Sequence, residues 1–204
     1  MSDLFAKTVR RGNNVEAITE LLPEDILLEP AAFPGHRDPH LWGEPALWMT
    51  TVASVVSSLA EYAPRGKADQ EQRGAAIEKE YEQLVVWAKK RVEELPANQR
   101  VLITSHDPLD YFGRAIGLAV VGVRGISTVS EAGLAAITRI VNFIKNRKLK
   151  AIFVESNISP ATTERISNDA AVKIGGELFS DALGTPGMKE TSGGATCDLG
   201  SHEG

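Results

Sequence analysis

Three side chains in this sequence carry lone pairs suited to a divalent cation and stand in loop or strand-end text: His40, His106 and Asp181. Two imidazole nitrogens and a carboxylate oxygen form a donor set that a first-row ion such as zinc accepts. The three lie far apart in the chain, so no short ligand-spacing motif groups them. A loop histidine can equally be a solvated side chain, or one bonded to a backbone carbonyl. His106 has the most telling position. Val101 to Thr104 reads as a short strand buried on both faces. Asp107 then reads as a helix cap, Pro108 as its first turn, and Tyr111, Phe112, Ala115 and Ile116 keep helical spacing. His106 therefore stands at a strand-to-helix turn, outside the carboxyl end of a strand, where open α/β sheets bind their ligands.

His40 lies in Phe33-Pro34-Gly35-His36-Arg37-Asp38-Pro39-His40-Leu41-Trp42, inside a stretch from Glu20 to Pro45 without sustained period. Pro23, Pro30, Pro34 and Pro39 make that stretch a long loop, and long ordered loops tend to carry function. His36 and His40 are four apart, but Gly35 and Pro39 exclude a regular helix, so their rings need not face the same way. Other chemistries fit poorly. No G-x-G-x-x-G opens a helix after the first strand, and neither a phosphate-binding G-x-x-x-x-G-K-[ST] nor a G-x-S-x-G nucleophile elbow occurs. Gly113 and Gly117 are in helix phase and read as packing residues.

The elements that must hold these donors follow from periodicity. Residues 1–14 form a short polar helix candidate, and Val15 to Thr19 alternates like a strand. A helix with Val52, Val55, Val56 and Leu59 on one face stops near Pro64-Arg65-Gly66. A longer one runs from about Ala68 to Leu95, with Ile77, Tyr81, Leu84, Ala88, Val92 and Leu95 as its apolar stripe. At about 1.5 Å per residue it spans roughly 40 Å, as a rod between two lobes or as a surface helix of one domain. From Val101 strands alternate with helices: Val101–Thr104, Ala119–Val123, Ala151–Glu155 and Val172–Ile174. The helix between the second and third strands opens on a Thr128/Glu131 capping box and carries Leu134, Ile137, Val141 and Ile144. Lys145, Arg147 and Lys148 stand near its end. A shorter helix covers Ala161–Ala171. This order means a parallel sheet covered on both faces. Its strand ends, Ser105-His106-Asp107, Glu155-Ser156-Asn157 and Gly175-Gly176-Glu177, share one edge, and Asp181 follows the last. From Met188 onward the text has no period and reads as disordered.

Bulk properties exclude several classes. The chain has 204 residues, 43% of them apolar, enough for a real core. A net charge of −5 argues against a nucleic-acid surface. The single cysteine, Cys197, excludes an internal disulfide and a cysteine-rich metal knuckle. No run is apolar enough to span a bilayer, and Met1 to Lys7 carry no apolar signal core.

The same residues carry a resemblance. Asp38-Pro39-His40-Leu41-Trp42, Thr104-Ser105-His106-Asp107 with Tyr111-Phe112-Gly113-Arg114-Ala115, Gly125 to Leu134, Phe153-Val154-Glu155-Ser156, and Lys173 to Gly184 occur in that order. With these blocks the chain resembles the zinc/manganese solute-binding proteins of ABC transporters, the cluster A-I metal binders. The resemblance implies an α/β fold of two lobes, each a parallel sheet flanked by helices, joined by one long rigid helix with the ion between them. On that pattern residues 1–66 are a partial N-terminal lobe, 67–97 the connecting helix, 98–187 the C-terminal lobe and 188–204 an atypical tail. It implies that His40, His106 and Asp181 bind the metal, that Glu155 and Glu177 orient rather than ligate, and that His36 is a neighbour. It implies no enzyme: a periplasmic or extracytoplasmic monomer would capture zinc or manganese and deliver it to a membrane permease. Two imidazoles favour zinc over manganese. The family also has an earlier histidine ligand, and no histidine precedes His36 here, so the first lobe reads as incomplete and both ends as cut short. Two alternatives stand beside this: a metal-dependent hydrolase with Glu155 or Glu177 as base, and a remnant without a working site.

Overall fold

In the computed structural model, which describes residues 18–30, 34–123 and 134–182, strands and helices alternate from Val101 onward as expected. Four strands form two parallel pairs. β1 (Val101–Thr104) pairs with β2 (Ala119–Gly122), and β3 (Ala151–Glu155) with β4 (Lys173–Leu178). β1 lies beside β3, giving the spatial order β2-β1-β3-β4, although the hydrogen-bond ladders join only the outer pairs among the described residues. The helices are α1 (Pro45–Tyr62), α2 (Lys67–Glu93), α3 (Asp110–Ile116), α4 (Leu134–Arg147) and α5 (Ala161–Ala170).

Strand side chains alternate between faces, so each strand feeds two cores. Ile103 and Ile152 lie on one face, packed with Ile137, Val141 and Ile144 of α4 and Ile166 of α5. Leu102 and Phe153 lie on the other, with Leu109, Phe112, Leu118, Val120 and Leu178. The sheet is therefore covered on both sides, as short runs such as Val-Leu-Ile-Thr require. Ahead of it the chain makes two helices and short 3-10 turns at Ile18–Leu21, Glu24–Ile26, Leu41–Gly43 and Pro64–Gly66, and no strand among the described residues. The 27 residues of α2 carry the chain from α1 to the start of β1 in one span.

Several expectations need correction. The alternation of Val15 to Thr19 does not give a strand where it is described. Ile18–Leu21 is a 3-10 turn, and the chain sends Leu22 into a cluster with Leu41, Leu47 and Tyr111 instead of pairing with a neighbour. β4 does not stop at Ile174 but runs to Leu178, through Gly175, Gly176 and Glu177. Gly175 is in the strand because Phe153 of β3 needs the space. A Cβ on Gly175 would stand 2.9 Å from its ring, and the register slips by one residue between Ile152 and Val154. The polar end of β4 is thus Phe179-Ser180-Asp181. Asp107 caps nothing. α3 starts three residues later with Leu109 at its cap position, and Asp107 Oδ1 is buried without a partner. Gly117 is not a packing glycine: it closes α3 in the left-handed conformation at φ +83°. On α1, Val52 and Val56 pack toward Gly74 of α2, whereas Val55 and Leu59 are exposed. The candidate helix over 1–14, the Thr128/Glu131 capping box, His202 and the tail from Met188 lie outside the described residues.

Candidate metal centre

The carboxyl ends of β1, β3 and β4 meet on one edge of the sheet, and the loop holding His40 closes over it. His106 follows β1, and its side chain is 2% exposed. Asp181 follows β4 with about a third of its side chain exposed (33%). His40 starts the 3-10 turn Leu41–Gly43 and is buried. One donor atom from each of these three lies within 4.8 Å of the other two. Asp181 stands between the imidazoles: Oδ1 is 3.9 Å from His40 Nε2, and Oδ2 is 3.6 Å from His106 Nε2. The two rings meet edge to face, 5.9 Å between centroids. Donors around a bound zinc stand about 3.4 Å apart for metal–ligand lengths near 2.1 Å, so this set fits an ion after an inward movement of about 1 Å.

Each histidine turns its Nδ1 to a buried carboxylate, which leaves Nε2 facing Asp181. His40 Nδ1 is 2.6 Å from Asp38 Oδ1, which also accepts the His40 backbone N–H at 2.9 Å. His106 Nδ1 is 2.6 Å from Glu155 Oε2, off the line of a ring N–H, while Glu155 Oε1 accepts the His106 backbone N–H at 2.9 Å. A carboxylate behind a ligating imidazole fixes its tautomer and raises its basicity. Asn157 Nδ2 donates to Asp181 Oδ2 at 2.8 Å. Burial opposes a charged His40 ring, yet the hydrogen bond and charge of Asp38, with the charges of Asp181 and Asp107, outweigh it and raise the ring above its ordinary value.

The His40 loop is held from the sheet side. Tyr111 of α3 is fully buried; its hydroxyl accepts from Leu28 N at 2.9 Å and donates to Asp38 O at 3.4 Å. Arg114, whose guanidinium lies over the Tyr111 ring, reaches Glu44 Oε2 at 2.5 Å and Ile26 O at 2.8 Å. Asp38, Tyr111, Arg114 and Asn157 serve the site although sequence reasoning assigns none of them a role there. Only Asp38 had a local signal, an acid two residues before a histidine in a proline-rich turn. His36, expected as a neighbour, is exposed and outside the donor group. Glu177 is exposed within β4 and outside that group too, so it offers no base there.

Backbone packing also protects the His106 turn. A Cβ on Gly122 would stand 2.7 Å from His106 C and 2.8 Å from Asp107 N. Gly122→Ala is expected to destabilise the protein by about 2 kcal/mol through overpacking and, by moving His106, to weaken metal binding. Thermal melting and zinc titration of this variant check both effects. Unchanged zinc affinity would show that the turn tolerates the shift.

Comparison with known proteins gives a consistent match. The profile of the family described as "Zinc-uptake complex component A periplasmic" (ZnuA) matches residues 1–193. The chain is 38% identical over 197 residues to the zinc-binding protein TroA of Treponema pallidum, covering 93% of this chain and 62% of that protein. It is 34% identical over 196 residues to the manganese-binding lipoprotein MntA of Bacillus subtilis, covering 93% and 63%. The solved structure of the periplasmic zinc-binding protein TroA from Treponema pallidum superposes with a TM-score of 0.80 at 36% identity, over 92% of this chain and 68% of that one. The chain thus spans a little under two thirds of the length of these curated relatives, 62% and 63%.

Proposed function

The chain belongs to the family of zinc-uptake complex component A, and from that premise we propose that it captures one zinc ion with His40, His106 and Asp181. The ion would be handed to the permease of an ABC transporter. The observation that carries this is the convergence of three distant donors within 4.8 Å, each imidazole backed by a buried carboxylate. The two imidazoles would replace water on the ion through Nε2, and Asp181 would supply the charge that neutralises it. Asp181 is the exposed member, so it is the side chain that can swing in when the ion enters and out when it leaves. A tetrahedral ion fits two nitrogens and a carboxylate better than manganese does, since manganese favours more oxygen. Manganese remains a cargo for comparison because relatives carry either name.

Residues 1–66, 67–97 and 98–187 would act as first lobe, connecting helix and second lobe, with the protein a monomer in the periplasm or outside the cell membrane. No helix among the described residues is long and apolar enough to cross a membrane. Hydrolysis is disfavoured because Glu155 is enclosed, with its oxygens engaged by His106 N and Ser180 Oγ, so it cannot reach a metal-bound water as base.

Calorimetric titration of the purified chain tests this. One zinc per chain is expected, bound at least about tenfold tighter than manganese, and His40→Ala should abolish the heat. Equal weak binding by both proteins would mark a chain without a working site. His106-dependent turnover of an ester or phosphate panel in the presence of zinc would overturn the carrier function.

A further inference from the structure

Ser180 bonds to groups that stand behind both histidines of the metal centre, Glu155 and Trp42. It is buried, follows β4 by two residues and directly precedes Asp181. Its hydroxyl donates to Glu155 Oε2 at 2.8 Å, and its backbone carbonyl accepts the indole N–H of Trp42 at 3.1 Å. Trp42 lies two residues beyond His40 and packs edge-on against that ring, 5.4 Å between centroids. Glu155 in turn holds His106 through its backbone N–H and stands 2.6 Å from its ring. We propose that Ser180 is a positioning residue for the metal centre: its hydroxyl aims Glu155 at His106 while its backbone ties Asp181 and the His40 loop to the same point. This rests on the metal-binding function proposed above.

The hydroxyl matters because the two histidines are backed differently. Asp38 meets His40 Nδ1 in an aligned hydrogen bond and needs no third group to do so. Glu155 approaches His106 Nδ1 just as closely but off the line of the ring proton, so the direction of its carboxylate depends on its other donors. Among the described residues those are His106 N on Oε1 and Ser180 Oγ on Oε2. The Glu155 side chain is wholly enclosed, so water cannot replace a lost donor cheaply. Without the Ser180 hydroxyl, Oε2 is free to rotate about the Oε1 anchor. The preference of His106 for a proton on Nδ1, which leaves Nε2 bare toward the ion, then weakens.

Ser180→Ala and Ser180→Thr test the proposal, the second keeping the hydroxyl. Ser180→Ala is expected to bind zinc about tenfold more weakly, at the lower end of the loss seen when a group behind a metal-ligating histidine is removed. In the metal-free protein the imidazole nitrogen-15 resonances of His106 should move from an Nδ1-protonated pattern toward a mixture of tautomers. Ser180→Thr should restore both. Ser180→Cys, nearly isosteric and a poor donor, should follow alanine and covers the case in which alanine or threonine disturbs the fold. Wild-type affinity and unchanged His106 resonances in Ser180→Ala and Ser180→Cys would overturn the proposal and leave the metal-binding function standing. If the wild-type chain binds no zinc, that function fails, and the metal-free resonances still decide whether Ser180 governs the His106 ring.

Discussion

Replacing His106 with alanine is expected to abolish zinc binding and also to destabilise the metal-free protein, whereas Asp181→Ala should affect binding alone. The asymmetry follows from burial. The His106 side chain is 2% exposed and that of Glu155 not at all, so removing the ring leaves a cavity beside an enclosed carboxylate. Truncating a large buried side chain to alanine costs about 3 kcal/mol toward the lower end of its range. Glu155 keeps His106 N and Ser180 Oγ, which places the loss near that end. Asp181 is a third exposed, and its partner Asn157 can turn to water, so its deletion leaves the metal-free melting temperature within a few degrees of wild type. Its loss removes the only carboxylate among the three donors, and zinc affinity should fall by at least about 100-fold, beyond what loss of an outer partner costs. Denaturant unfolding of the metal-free variants beside zinc titration separates the two quantities. The account fails if Asp181→Ala loses as much stability as His106→Ala, or if His106→Ala binds zinc like wild type.

That contrast divides the centre into a rigid part and a mobile part. His40 is held at its backbone N–H and at Nδ1 by Asp38, and His106 at its backbone N–H by Glu155, which also stands close to its Nδ1. The His40 loop is pinned to α3 by Tyr111 and Arg114, so its ring is presented by the same helix that follows His106. Asp181 is the exposed member of the three. On the proposed function, preset imidazoles would lose little freedom on binding, while the exposed carboxylate would be the donor left to adjust.

The sheet was legible because its strands are short apolar runs between turn signals, and three of them end within one residue of where the pattern ends. The length of β4 is not legible because Gly175-Gly176 looks like a turn in sequence, and Phe153, for which Gly175 makes room, is not visible opposite it. Asp107 was misread for a related reason: a cap is a local rule, and burial beside Gly122 overrides it. The donors His40, His106 and Asp181 were visible as residue types, but only the resemblance grouped them. No periodicity records a contact such as Trp42 to Ser180 or Leu28 to Tyr111, which joins residues 138 and 83 positions apart. The apolar stripes of α1 and α2 lie on single faces by phase, yet Val55, Leu59, Ile77, Leu84 and Leu95 are exposed, because helical phase says where a stripe runs and not what covers it.

Acidification should stabilise the metal-free protein and weaken its hold on zinc over the same range of pH. Burial works against the His40 imidazolium, but the hydrogen bond and charge of Asp38, then the charges of Asp181 and Asp107, raise its folded value above the ordinary 6.5. A histidine raised in the folded state contributes stability that is fully present below its unfolded value and is lost as pH rises through the folded one. Asp110 acts in the same sense. Burial, then the charges of Asp107 and Asp38, push it up to about 6 from 3.8, so the folded protein takes up that proton before the unfolded chain does. Between about pH 7.5 and 5.5 the metal-free melting temperature should therefore rise as pH falls. Zinc needs the same His40 ring unprotonated, so each proton displaced costs about tenfold in affinity per pH unit below the folded value. Two curves of opposite slope are expected: the metal-free melting temperature climbing with acid, and the zinc-induced increment shrinking until it vanishes. Melting at pH 7.5, 6.5 and 5.5, with and without saturating zinc, shows both. A metal-free melting temperature that falls steadily across this range would mean that Asp38 does not stabilise the protonated His40 ring, and an increment that stays constant would mean that the ion does not compete with that proton.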